Sequence, residues 1–231
     1  MPRPEASGPP ANYYDATEAA KYTSSSRIIR VQAEIAARCV ELLNFPAGAR
    51  RLVVDVGCGS GLSGAALERA GHAWVGVDLS ELMLRAARAR GRRVHDVLCA
   101  DMGDGLCFRK HSFDGAISVS AVQWLCFQTK PEHEPEKRLR KFFRGLHAVL
   151  APNARAALQV YPEQPAHMEM MRRAALGAGF ADTSNNVFVK LQDNNFDSLM
   201  DRVFFYYGNN GGSWGSTTYY YDLAVPTATA T

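Results

Sequence analysis

Strand-length apolar segments alternate with helix-length amphipathic ones along this chain, and that pattern predicts an α/β fold with a mostly parallel sheet covered by helices on both faces. A second observation agrees: the first apolar run, 51–56, empties into a crowd of glycines, VVDVGCGSGLSG, as a strand does when it turns into a ligand-binding helix. Size is the third. At 231 residues and 25.3 kDa the chain suits one such domain with terminal extras, and two would be cramped.

The elements follow in order. Residues 1–11 are rich in Pro, Gly and Ser and predict a flexible leader. Between 26 and 43, Ile28, Ile35, Cys39, Leu42 and Leu43 recur at helical spacing, and Phe45-Pro46-Ala47-Gly48 supplies the stop. Next come a strand over 51–56, a helix over 60–70, a strand over 73–77 and a helix capped by Ser80 that runs to about 90. Strands over 94–100 and 113–119 precede a polar loop, CFQTKPEHEPE. A helix over 136–150, a strand over 155–160, a helix over 164–178 and candidate strands over 186–192 and 202–207 complete a domain spanning 12–207. Residues 208–231 have loop composition, with Trp214 and Tyr219-Tyr220-Tyr221 interspersed.

Charge and cysteine content narrow the function classes only a little. Lys and Arg total 26 against 23 Asp and Glu, a net of +3 that neither demands nor excludes nucleic acid. Five cysteines without a C-x-x-C pair suggest a reducing compartment. No stretch supplies the roughly 18 apolar residues of a membrane span, so a soluble protein is expected. Hydrolase, kinase and metal-site motifs are missing from the sequence, and its six histidines are scattered.

The glycine turn admits two readings. Gly59, Gly61 and Gly64 fit the dinucleotide fingerprint G-x-G-x-x-G, whereas Asp55, Gly57, Gly59 and Gly61 fit D-x-G-x-G-x-G. Charge separates them: a carboxylate beside the turn repels a pyrophosphate but suits the ammonium and sulfonium of S-adenosylmethionine. Asp78, ending the second strand 17 positions past Gly61, accepts from ribose hydroxyls in either reading, unless it only caps the helix that starts near Ser80. Asp101, after the third strand, suits the adenine amine with Met102 on the ring, or else a plain Asx turn. After the fourth strand, Gln123 and Trp124 offer an amide and a stacking face to a base, or serve as packing. Gln159 and Tyr161-Pro162-Glu163, which end the fifth strand on the same rim, extend that wall, or Glu163 turns into the next helix. Lys137, Arg140, Lys141 and Arg144 make a basic stripe that reads as an RNA contact or as a solvated helix face, with a second cluster at Arg85, Arg88, Arg90, Arg92 and Arg93.

These stretches, DVGCGSGLSG, GHAWVGVDLS with Met83, DMGDG, FDGAISVSAVQWLC, KRL with Phe142-Phe143, and QVYPE, resemble the eukaryotic 18S ribosomal RNA guanine-N7 methyltransferase family. The similarity runs over roughly 13–180 and includes Tyr13-Tyr14-Asp15, Glu18-Ala19, Lys21-Tyr22 and Ser26-Arg27. GCGSG marks only the methyltransferase superfamily; SAVQWLC and QVYPE are much more specific. The resemblance implies a Rossmann-like class I methyltransferase fold with a seven-stranded sheet, S-adenosylmethionine as cofactor and 7-methylguanosine formation in 18S rRNA. It implies that Lys21, Tyr22 and Arg27 close over a cofactor also lined by Cys58, Leu79, Met83 and Ser118. A small zinc-binding activator subunit would add its sheet to the strand at 94–100, and the small-subunit preribosome, in nucleus, nucleolus and cytoplasm, would be the substrate. Beyond Phe180 the chain carries Gly, Asn, Thr, Ala and Tyr where the family has a Lys/Arg-rich tail. Three rival functions stay open: methylation of a small molecule or protein, an NAD-linked oxidoreductase, which Asp55 disfavours, and a non-enzymatic assembly factor.

Overall fold

The computed structural model describes Tyr13, Asp15, Thr17, Ala19 and residues 23–90, 96–182, 188–189 and 218–224. Helix α1 (Ser26–Leu42) starts where the Ser25 hydroxyl accepts the Ile28 N–H. Then come β1 (Leu52–Val56), α2 (Leu62–Arg69), β2 (Ala73–Asp78), α3 (Glu81–Arg90), β3 (Asp96–Cys99) and β4 (Phe113–Val119). Two 3-10 segments, Met102–Asp104 and Val122–Cys126, flank β4. Helix α4 (Pro135–Val149), β5 (Leu150–Val160) and α5 (Pro165–Gly177) follow, then the two-residue strands β6 (Ala181–Asp182) and β7 (Phe188–Val189), and β8 (Thr218–Ala224).

The sheet order is β3-β2-β1-β4-β5-β8-β6, with β7 also on β8. Strands β3 to β5 are mutually parallel, and β8 runs antiparallel to β5 from Arg155↔Ala224 to Val160↔Tyr219. Eight strands are thus present among the described residues, not the expected seven, because two-residue β6 and β7 both add to β8. The loop reading of 208–231 gives way at 218–224, where β8 finds its partner about 60 residues upstream. The candidate strand at 186–192 shrinks to Phe188–Val189, and that at 202–207 lies outside the described residues.

Successive side chains of a strand point to opposite faces, so β1 feeds two cores. Val54 and Val56 join Leu139, Phe142, Phe143, Leu146 and Met171 of α4 and α5 on one side. Val53 joins Cys39, Leu67, Trp74 and Leu84 on the other. Each fully buried Leu or Phe contributes about 1.5–3 kcal/mol relative to exposure, which is why α4, apolar at 139, 142, 143, 146 and 149, is held against the sheet. Strand order reverses between β1 and β4, the point at which the loops leaving the two strands diverge and open a crevice.

Candidate active site

The crevice is built on the glycine turn. Gly57, Gly59 and Gly61 have φ of 75°, 51° and 78°, a left-handed conformation that other residues adopt at a cost of about 1–2 kcal/mol each. The Gly57 and Cys58 amides both donate to the Val77 carbonyl, at 2.7 and 3.1 Å, which stitches the turn to β2. A Cβ on Gly57 would fall 2.2 Å from the Ala121 Cβ, so the turn and the entry to Val122–Cys126 are in direct contact. The chain therefore brings the cofactor motif and the SAVQWL motif together, as their common rim predicts.

Asp55 plays a different part from the one its charge suggests. It is wholly buried, and its carboxylate accepts the Ser63 hydroxyl at 2.6 Å within the first turn of α2. Burial, above all, pushes its pKa up to about 7; the Ser63 bond opposes the rise, the Asp78 charge adds to it and the Gly64 amide opposes it. Asp55 thus braces the turn from beneath and presents no atom to a ligand. The reason is geometric: the pleat that sends Val54 and Val56 to one core sends Asp55 under α2.

Asp78 stands at the rim. Its Oδ2 accepts the Gly59 N–H at 2.8 Å and its Oδ1 the Ser80 N–H at 2.8 Å, an Asx turn ahead of α3, whose first turn is capped instead by the Ser80 hydroxyl accepting the Met83 N–H at 3.3 Å; lone pairs remain on the Asp78 carboxylate. Burial raises its pKa, against the pull of those amides. Asp101 Oδ1 accepts the Gly103 N–H at 2.8 Å, an Asx turn, and also an N–H of Arg138, which sequence reasoning passed over. Met102 is half-buried beside it and Leu79 is half-buried at the β2 end. Met83 is buried against the turn, its Cε 3.2 Å from where a Gly59 Cβ would lie.

Four residues expected to meet a ligand through their side chains face inward instead. Cys58 is buried, its Sγ 2.6 Å from where a Gly76 Cβ would sit, so it faces β2 and only its backbone meets the crevice. The Ser118 hydroxyl, fully buried, donates to the Val56 carbonyl at 2.7 Å and ties β4 to β1. Gln123 and Trp124 are 1% and 5% exposed, with Gln123 Nε2 donating to the Ser120 carbonyl at 2.8 Å and the Tyr13 ring 6.1 Å from that of Trp124. The apolar run from Val122 to Cys126 folds inward as a unit and carries its one amide with it. Tyr161 is half-buried and Glu163 exposed, so these two reach solvent. Arg27 is half-buried on α1, and Lys21 and Tyr22 lie outside the described residues.

Ser120 was also missed. It holds φ of 57°, unusual for a residue with a side chain, between an N–H donated to the Gln159 carbonyl (3.0 Å) and a hydroxyl donated to Gln159 Oε1 (2.7 Å). Ser120→Gly relieves the backbone but forfeits the hydroxyl bond. The two changes, each about 1 kcal/mol, should nearly cancel in urea denaturation, while Ser120→Val should lose 2 kcal/mol or more.

The basic stripe of α4 is largely matched by acids: Lys137 with Glu134, Arg140 with Glu136 and Lys141 with Asp104, at 2.6, 3.3 and 3.5 Å. In the second cluster, Arg85 pairs with Glu81, and Arg90 donates to the Ser60 and Thr23 carbonyls, fastening the glycine turn to the segment before α1. All five cysteines are free, and no described helix is long and apolar enough to cross a membrane.

A methyltransferase-domain family matches residues 54–158, from β1 through β5. The chain is 41% identical over 181 residues to the 18S rRNA (guanine-N(7))-methyltransferase of Schizosaccharomyces pombe, a match covering 78% of this chain and 67% of that protein. The chain belongs to the 18S rRNA (guanine-N(7))-methyltransferase family. A member from Arabidopsis thaliana is 52% identical over 179 residues, 77% of this chain and 62% of its own. One from mouse is 48% identical over 178 residues, 77% of this chain. The chain thus spans 62% and 63% of the length of these two family members. The fold is also that of a Haloferax volcanii methyltransferase solved in complex with the Trm112 methyltransferase activator. The TM-score is 0.55, with 19% identity, and 90% of this chain and 98% of that one are covered. An S-adenosylmethionine-dependent methyltransferase from Mesorhizobium loti shares it too, with a TM-score of 0.55, 18% identity, and coverage of 83% and 99%.

Proposed function

We propose that this chain transfers a methyl group from S-adenosylmethionine to N7 of a guanine in 18S rRNA during small-subunit biogenesis. One observation carries the cofactor choice. The Gly59 amide, which a pyrophosphate would need, is already taken by the Asp78 carboxylate, and a second carboxylate, Asp55, lies beneath the same turn. That turn repels phosphate and suits a cation. Left-handed Gly57, Gly59 and Gly61 let the backbone approach a ligand, Asp78 has lone pairs left for ribose hydroxyls, and Asp101 has its Oδ2 for the adenine amine. Lys21, Tyr22 and Arg27 would cover the ligand.

The bound cofactor supplies an electrophilic methyl on sulfur. Guanine N7 has an exposed lone pair and no proton, so no general base is needed and the protein's task is alignment, worth about 7–11 kcal/mol in favourable cases. Tyr161 and Glu163 would meet the base at the mouth, with Gln123 and Trp124 supporting that wall from behind. A small zinc-binding activator is the proposed partner. Strand β3 is four residues long, pairs only with β2 among the described residues and exposes Asp96 and Cys99, an edge open to an added strand. Action in the nucleus, nucleolus and cytoplasm follows from that substrate.

Co-expression with such an activator should give a 1:1 complex on size exclusion, and that complex should move tritium from labelled S-adenosylmethionine into 18S rRNA and not into metabolite extracts. Label in a metabolite or protein instead would sink the acceptor assignment. Thermal-shift titration tests the cofactor separately: S-adenosylhomocysteine at 100 times its Kd stabilises by about 2.7 kcal/mol, whereas NAD should do nothing.

A further inference from the structure

We infer that Arg138 makes this site selective for a 6-amino purine by pinning Asp101, an inference that rests on the cofactor assignment above. Arg138 reaches across from α4 and is 11% exposed, against 18% for the Asp101 side chain it pairs with. One guanidinium nitrogen, Nη2, donates to Asp101 Oδ1, and the other, Nη1, faces His133 Nδ1 at 3.1 Å. Thr129 Oγ1 meets the same histidine nitrogen at 2.9 Å. The guanidinium lies so close over Gly103 that a Cβ there would fall 2.4 Å from Arg138 Nε.

This arrangement fixes which carboxylate oxygen a ligand meets. Oδ1 already receives the Gly103 amide and Arg138, which leaves Oδ2, with no hydrogen-bond partner among the described residues, as the acceptor. An acceptor held there welcomes the 6-amino group of adenine. It opposes the 6-oxo group of hypoxanthine, because two acceptors face each other and the carboxylate cannot rotate away without breaking the Arg138 pair. Only a planar fork can hold Asp101 and His133 at once, so lysine is no substitute. His133 and Thr129 belong to the loop that follows Val122–Cys126, so the pin also anchors the far side of the crevice.

The test measures affinity by calorimetry for two probes, S-adenosylhomocysteine and S-inosylhomocysteine, on the full chain with its co-expressed partner. Wild type should prefer the adenosyl compound by about 100-fold. Arg138→Gln should cut that ratio about tenfold or more. Gly103→Ala, which displaces the guanidinium without removing it, should lower the same ratio. A merely structural role would weaken both ligands equally and leave the ratio alone. Should Arg138→Gln fail to fold, Arg138→Lys decides by the same measure. Folded variants that keep the wild-type ratio overturn the inference while leaving the cofactor assignment standing; so does a wild type that binds both probes equally. A wild type that binds neither probe removes the cofactor assignment and the inference together.

Discussion

Gly57→Ala should destabilise the domain by about 2–5 kcal/mol and abolish S-adenosylhomocysteine binding. Two costs add. A side chain at φ of 75° costs about 1–2 kcal/mol, and its Cβ would sit 2.2 Å from that of Ala121, an overlap of the kind that costs about 1–3 kcal/mol in a packed core. Denaturant unfolding measures the sum, and Ala121→Gly in the same chain separates the terms. The double variant should recover the steric part and leave the backbone part. If Gly57→Ala unfolds at the wild-type midpoint and still binds, the turn does not have the shape described.

Asp55→Asn should reshape the dependence of stability on pH. The Asp55 carboxyl ordinarily titrates near 3.8 and is pushed to about 7 in the fold, chiefly by burial. A raised carboxyl favours the protonated folded chain, so its contribution to stability is complete below pH 3.8 and is lost as pH climbs through 7. The rise from 3.8 to about 7 corresponds to about 4 kcal/mol lost across that window. Asp78, also raised, slopes the same way and stays in the variant. The quantity to measure is therefore the difference between wild type and Asp55→Asn at pH 4.5 and pH 8, which should swing by several kcal/mol in favour of the variant at the higher pH. A flat difference would mean that Asp55 is ionised throughout. A cationic ligand favours the ionised form, so cofactor affinity of the wild type should rise between pH 6 and pH 8, and that of Asp55→Asn, which keeps only Asp78, should rise less.

Much of this architecture was legible because its signals are local. Strand 113–119 is found as read, and α1, β2, α3, α4 and α5 end within about two residues of their expected limits, since apolar spacing and the prolines at 135 and 165 fix them. β5 begins five residues before the expected 155: Leu150 pairs with Phe113 across an irregularity in which Asn153 takes φ of 64°. What the sequence hid is long-range. Nothing in Tyr219-Tyr220-Tyr221 tells which strand it pairs with, and Arg138 lies 37 positions from Asp101. The site was legible as a place rather than as a set of contacts. Glycine spacing located the turn, but residue type alone could not reveal that Asp55 faces α2, that Ser118 bridges two strands or that Gln123 is swallowed with its apolar neighbours.

The clasp between Ser120 and Gln159 constrains how this sequence can drift. A left-handed backbone tolerates Gly, Asn or Asp at 120, and each alters what the Gln159 amide can bond. Positions 120 and 159 should therefore change in concert across descendants of this chain, a pairwise signature visible in any deep alignment.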